Sequence, residues 1–142
     1  MIAEDDKHIA AALEIRLKAA GYEVQMVPDG FRCYSRAVTQ HPDLILMDIF
    51  MPIGSGLEVA QELERASLTD IPIIFMTASK EKNLREKAKK LGAVGFFEKP
   101  FDPERLLAAI SRALEPAHST TLTSTLKSAV SMVTKPLNQF HS

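Results

Sequence analysis

Residues 44–52 read LILMDIFMP. Leu44, Ile45, Leu46 and Met47 form an unbroken apolar run, Asp48 interrupts it, and Ile49, Phe50 and Met51 resume it before Pro52. A continuous apolar run of this length is the pattern of a strand covered on both faces, as the strands of a parallel sheet are. An ionised carboxylate within it is costly to bury unless a partner answers the charge. Asp48 therefore raises two questions: what covers both sides of its strand, and what balances it.

The sequence on either side answers the first. Upstream, residues 6–20 repeat Ile9, Leu13 and Leu17 at helical spacing beside Ala12 and Ala20, and Gly21 is a natural stop. YEVQMV at 22–27 alternates as a strand, Pro28-Asp29-Gly30 turns the chain, and a second helix is expected to about Gln40. Downstream, GLEVAQELERA at 56–66 reads as a helix with Leu57, Ala60 and Leu63 on one side, and IPIIFM at 71–76 as another buried strand. Residues 80–90 read as a charged helix with Leu84, Ala88 and Leu91 as its apolar stripe, ended by Gly92. VGFF at 94–97 is a short strand, and 103–114 a helix with Leu106, Leu107 and Ile110 inward, Pro103 suiting its first turn. Strand and helix alternate five times, which predicts right-handed crossovers, a parallel sheet and a doubly wound α/β fold. Only Met1, Ile2 and Ala3 precede the first acids, so the first strand is expected to be short.

The 142 residues carry a net charge of −1, 46% hydrophobic and 25% charged side chains, an ordinary composition for one globular domain. No apolar stretch approaches the roughly 18 residues a membrane span needs. No basic segment followed by an apolar core opens the chain, so no signal peptide is expected. Cys33 is the single cysteine, which excludes an internal disulfide and fits a cytoplasmic setting. Near-zero charge argues against nucleic acid as a direct partner. The expected domain is 1–116. Residues 117–142 are rich in Ser and Thr and contain no acid; they read as a mobile tail, or as a helix presenting Leu122, Leu126, Val130, Val133 and Leu137 to this domain or a second copy.

In parallel α/β sheets functional groups gather beyond the carboxyl ends of the strands. Those ends offer Glu4, Asp5 and Asp6 after strand one, Asp48 after strand three, Thr77 after strand four and Lys99 after strand five. Each has a plainer explanation. The acids could cap a helix, Thr77 could end a strand, and Lys99 could be a solvated loop charge. Converging acids, however, repel by about 3 kcal/mol per pair at 5 Å and an effective dielectric of about 20, so they bind a cation or take up protons. Oxygen donors alone select a hard ion such as Mg²⁺, which keeps sites for waters and a phosphate. With an ammonium and a hydroxyl opposite, the cavity suits a phosphoryl group in transfer, and the Asp48 carboxylate would be its nucleophile.

The motifs IAEDD, PDLILMDIFMP, IIFMTAS and GAVGFFEKPF fall in order across residues 2–101, and together the chain resembles the receiver domain of two-component response regulators. The resemblance implies a flavodoxin-like five-stranded parallel sheet of order 2-1-3-4-5 with five helices. It implies Asp48 as phosphoacceptor from a histidine kinase or histidine phosphotransfer protein, and Mg²⁺ held by Asp5, Asp48, the Phe50 carbonyl and, largely through water, Glu4. Lys99 would bridge to the phosphoryl oxygens, with a cis Lys99–Pro100 peptide. Thr77 would move to the phosphoryl group, Phe96 would be the switch aromatic unless it is plain core packing, and small Ala78 would leave room for the donor. The helix expected at 80–90, with six basic residues and two acids, is either a solvated face or a docking surface for a second copy or a downstream target. Ser55-Gly56 replaces the family's Asp-Gly pair, and serine still caps a helix. Two rivals are a pseudo-receiver that binds partners without being phosphorylated, and a Mg²⁺-dependent aspartyl phosphatase. The second normally needs an acid where Phe50 stands.

Overall fold

The computed structural model describes residues 1–116; both readings of 117–142 lie outside the described residues. Along the chain run β1 (Ile2–Ala3), α1 (Lys7–Ala19), β2 (Met26–Val27), α2 (Gly30–Gln40) and β3 (Ile45–Asp48). There follow α3 (Gly56–Arg65), β4 (Ile73–Thr77), α4 (Leu84–Lys90), β5 (Gly95–Glu98) and α5 (Pro103–Leu114). The strands form one parallel sheet of order β2-β1-β3-β4-β5, so the expected topology and the short first strand are both observed. None of the described helices is long and apolar enough to cross a membrane.

Side-chain alternation along the strands divides the core in two. On one face Ala3, Val27, Ile45, Met47, Ile73 and Phe75 pack against Cys33 and Ala37 of α2, Val59, Ala60 and Leu63 of α3, and Leu84 and Ala88 of α4. On the other, Ile2, Leu46, Ile74 and Met76 meet Leu13 and Leu17 of α1 and Leu106 and Ile110 of α5. The parity matters at the carboxyl end. Glu4 follows Ile2, Asp48 follows Leu46 and Lys99 follows Phe97, so all three share the α1/α5 side, whereas Thr77 and Phe96 belong to the α4 side.

Three expectations need correction. YEVQMV pairs only through Met26 and Val27, because β1 offers just Ile2 and Ala3 opposite them; a strand exists only where a partner strand lies beside it. In α1 the inward alanine is Ala10, while Ala12 and Ala20 are exposed. The helix expected from residue 80 starts at Leu84. Thr77 and Ser79 hydroxyls capture the main-chain N–H groups of Ser79 and Glu81, at 3.0 and 3.1 Å, and such local turns compete with helix. Asn83 then takes a left-handed φ of 74°. Lys80 and Lys82 are therefore loop residues.

Ser55 caps α3 in a reciprocal box with Glu58, at 3.2 and 2.8 Å, and Gly56 brings that helix start against the end of β3. A Cβ at Gly56 would lie 2.5 Å from the Asp48 main-chain oxygen. Gly56→Ala is expected to destabilise the protein by about 3 kcal/mol, as overpacking against immovable backbone does; chemical denaturation measures it.

Candidate functional site

Four chain segments build the site. Asp48 is the last residue of β3 and is buried, with Glu4, just beyond β1, buried beside it. Lys99 arrives from just beyond β5, its main-chain N–H donating to the Thr77 carbonyl at 2.7 Å and the peptide to Pro100 being cis. The Lys99 Nζ donates to Glu4 Oε1 at 2.6 Å and to Asp48 Oδ2 at 2.7 Å. The remaining oxygens are also engaged: Glu4 Oε2 accepts the Asp6 N–H and Asp48 Oδ1 the Phe50 N–H, each at 3.1 Å. The charge of Asp48 is thus answered by an amine brought from 51 residues away.

Asp5 is exposed, yet offers a carboxylate oxygen that lies with those of Glu4 and Asp48 within 4.8 Å of one another. Asp6 does not join them. It caps α1, accepting from the His8 and Ile9 N–H groups at 2.9 and 3.2 Å, and these bonds hold its carboxyl below the usual range. Asp29, two residues beyond β2, is likewise used as a cap, that of α2, accepting from Arg32 N–H at 2.7 Å. Among the three N-terminal acids, then, two face the site and one serves the helix.

Electrostatics follow from this packing. Burial pushes the Glu4 carboxyl above its ordinary value of 4.5, more than the Lys99 and Asp6 hydrogen bonds lower it. Burial would lower the Lys99 ammonium, but hydrogen bonds to Asp48 and Glu4 and the charge of both outweigh it, so it stays protonated above its ordinary 10.5. Three carboxylates around one ammonium leave two negative charges in excess. A divalent cation would neutralise them, and an all-oxygen donor set suits Mg²⁺ in particular. The residues present fit that ion.

Thr77 sits on the same rim but on the other side of the sheet tip. It is fully buried, and its hydroxyl is taken by Ser79 N–H rather than by Asp48 or Lys99. Phe96 is half-buried against the α4 side of the core, with the Arg85 guanidinium carbon 4.7 Å from its ring centroid. Phe50 is 48% exposed beside Asp48, and Ala78 is exposed. Sequence reading overlooked Ser79 and Arg85. The spacing Thr77-Ala78-Ser79-Lys80-Glu81, a hydroxyl two residues before each captured N–H, was a usable signal for the first; nothing along the chain pairs Arg85 with a ring eleven residues on.

Comparison with known proteins identifies the family and the fold. The response regulator receiver domain family matches residues 1–111. A probable transcriptional regulator of Galdieria sulphuraria is 40% identical over 110 residues, covering 78% of this chain and 42% of that protein. The phosphate regulon transcriptional regulatory protein of Pseudomonas aeruginosa is 36% identical over 115 residues, 80% of this chain and 50% of that one. The chain thus spans about half the length of the curated relatives it matches. Among solved structures, a Vibrio cholerae chemotaxis protein superposes with a TM-score of 0.72 at 30% identity, covering 80% of this chain and 95% of that one.

Proposed function

We propose, since the chain belongs to the response regulator receiver domain family, that Asp48 accepts a phosphoryl group from a phosphohistidine donor in a Mg²⁺-dependent reaction. The observation that carries this reading is the Lys99 amine, held 2.6 and 2.7 Å from carboxylates at two other strand ends. An Asp48 carboxylate oxygen attacks phosphorus in line. The new P–O bond forms as the bond to the donor imidazole nitrogen breaks, and that nitrogen keeps the electron pair. Lys99 then turns its N–H groups to the phosphoryl oxygens, countering the charge they carry. Asp5, Asp48 and the Phe50 carbonyl would hold Mg²⁺, with Glu4 acting through water; when bound, the ion offsets negative charge on the transferring group. Released from Ser79, the Thr77 hydroxyl hydrogen-bonds a phosphoryl oxygen, and Phe96 follows it inward.

The protein acts as a signalling phosphoacceptor that catalyses its own modification and its reversal. Its partners are a histidine kinase or phosphotransfer protein, and a second copy or target that reads the α4 region. The domain boundary at 116, a cytoplasmic location and the absence of direct nucleic-acid contact by this domain belong to the same reading, the last supported by the near-zero net charge. One relative is a DNA-binding regulator of Synechocystis, of which the chain covers 47%.

Incubation with acetyl phosphate and Mg²⁺ followed by intact mass tests the proposal. One base-labile phosphoryl adduct is expected. No adduct would favour a pseudo-receiver, and steady phosphate release from many substrates a phosphatase. Phe50, which is 48% exposed and whose main-chain N–H donates to Asp48 Oδ1 at 3.1 Å, would shield the acyl phosphate from water and so lengthen the life of the adduct. Phe50→Asn is expected to shorten the half-life about tenfold, as a barrier lowered by about 1.4 kcal/mol does; equal hydrolysis rates would retire the shielding role.

A further inference from the structure

From Thr77 into the first turn of α4, where Leu84 is buried in the core, two cationic side chains reach across to β5. Phe96 and Glu98 stand two residues apart on β5 and so share one face; that face is turned to α4, because Phe96 packs in the cluster containing Leu84 and Ala88. Lys80 reaches Glu98 at 3.4 Å, with both side chains largely exposed. Arg85, one turn further along, lies 4.7 Å over the Phe96 ring. A cation in the first turn of a helix opposes the helix dipole, so the position is unfavourable for Arg85 apart from what the ring returns. Between them, among the described residues, the segment has its local turns: the Ser79 N–H on the Thr77 hydroxyl, the Glu81 N–H on Ser79, the Ser79 hydroxyl on the Glu81 carboxylate at 3.4 Å, and the left-handed Asn83.

We propose that Lys80 and Arg85 form a two-point clasp that holds the β4–α4 segment against β5 and sets how readily the site enters its phosphoryl-bound state. The proposal rests on the phosphoacceptor reading. In the resting arrangement three attachments act together: Thr77 on Ser79, Lys80 on Glu98, and Arg85 on Phe96. To donate to a phosphoryl oxygen on Asp48 the Thr77 hydroxyl must swing from the α4 side of the sheet tip, which draws its oxygen away from the Ser79 N–H and displaces the segment against the other two attachments. A ligand shifts such an equilibrium only by its differential affinity for the two states. Whatever loosens the clasp therefore raises apparent affinity for the phosphoryl group. Lys80 and Arg85 are positioning residues, since neither touches the reacting atoms.

The test measures the affinity of the full chain for beryllofluoride with Mg²⁺, a tetrahedral phosphoryl mimic, by titration calorimetry. The double variant Lys80→Gln/Arg85→Gln is expected to bind about tenfold tighter, and Glu98→Gln, which frees Lys80 without touching the helix, about threefold tighter. Arg85→Lys, which keeps the cation, is expected to stay at native affinity. Damage to the fold would weaken binding, so the sign separates a clasp from a merely structural role. Unchanged or weaker binding in Glu98→Gln and the double variant overturns the clasp while leaving the acceptor role of Asp48 intact. Failure of the native chain to bind the mimic overturns both.

Discussion

Asp48→Asn leaves the protein folded, more stable in the absence of metal, and unable to acquire phosphate. The chemical part of that expectation is the largest effect the site allows. Asparagine keeps one acceptor oxygen where Asp48 offers Oδ2 to Lys99 and Oδ1 to the Phe50 N–H, and its amide is no nucleophile, so the phosphoryl adduct should vanish from the intact mass. The stability part runs against the habit of expecting active-site substitutions to weaken a fold. Glu4, Asp5 and Asp48 crowd one ammonium, and removing one negative charge relieves repulsion with two carboxylates, which is expected to outweigh the one hydrogen bond that asparagine cannot accept. The gain should be about 1 kcal/mol, or about 3–4 °C in melting temperature for a domain of this size. Thermal melts in chelator and in Mg²⁺ measure it, and the gain should shrink when the ion neutralises the native site. A variant that melts earlier in chelator would show that repulsion is not what the native arrangement bears.

Lys99→Met is expected to do the reverse on stability and nearly as much on activity. The Lys99 side chain is 13% exposed and that of Glu4 1%, so its loss strands two buried carboxylates without a counter-charge. Breaking a buried pair from one side costs about 3–5 kcal/mol; proton uptake by Glu4, whose carboxyl burial already raises, brings the expectation to about 2–3 kcal/mol. Because that rescue needs protons, the deficit should grow as pH rises through the range where the carboxyl ionises. Adding Mg²⁺ should recover part of the stability. Phosphorylation by acetyl phosphate should slow at least about 100-fold, the loss typical of removing one donor aimed at developing charge. A variant as stable as the native chain would mean that the ion pair is dispensable.

Both results turn on residues that stood out in the sequence. Asp48 was conspicuous because it broke an apolar run, and Glu4, Asp5, Thr77 and Lys99 because each follows a buried strand at the end where α/β sheets carry their sites. The strand order, the cis peptide at Lys99 and the cap at Ser55 were legible through motif and local chemistry. What escaped has a common cause. The extent of β2 depends on how many residues β1 sets opposite it, a property of a neighbour. The start of α4 depends on whether hydroxyls at 77 and 79 take main-chain N–H groups before the helix does. Asp6 looked like its two neighbours, and only geometry sends it to cap α1. The stacking of Arg85 on Phe96 joins two elements whose approach no local pattern encodes.

The most direct measurement reduces the acyl adduct with borohydride after incubation with acetyl phosphate and Mg²⁺, then locates the altered residue by peptide mass. The account predicts that hydride converts residue 48, and it alone, to homoserine. Reduction at residue 4 or 5, or an unmodified chain, would contradict it.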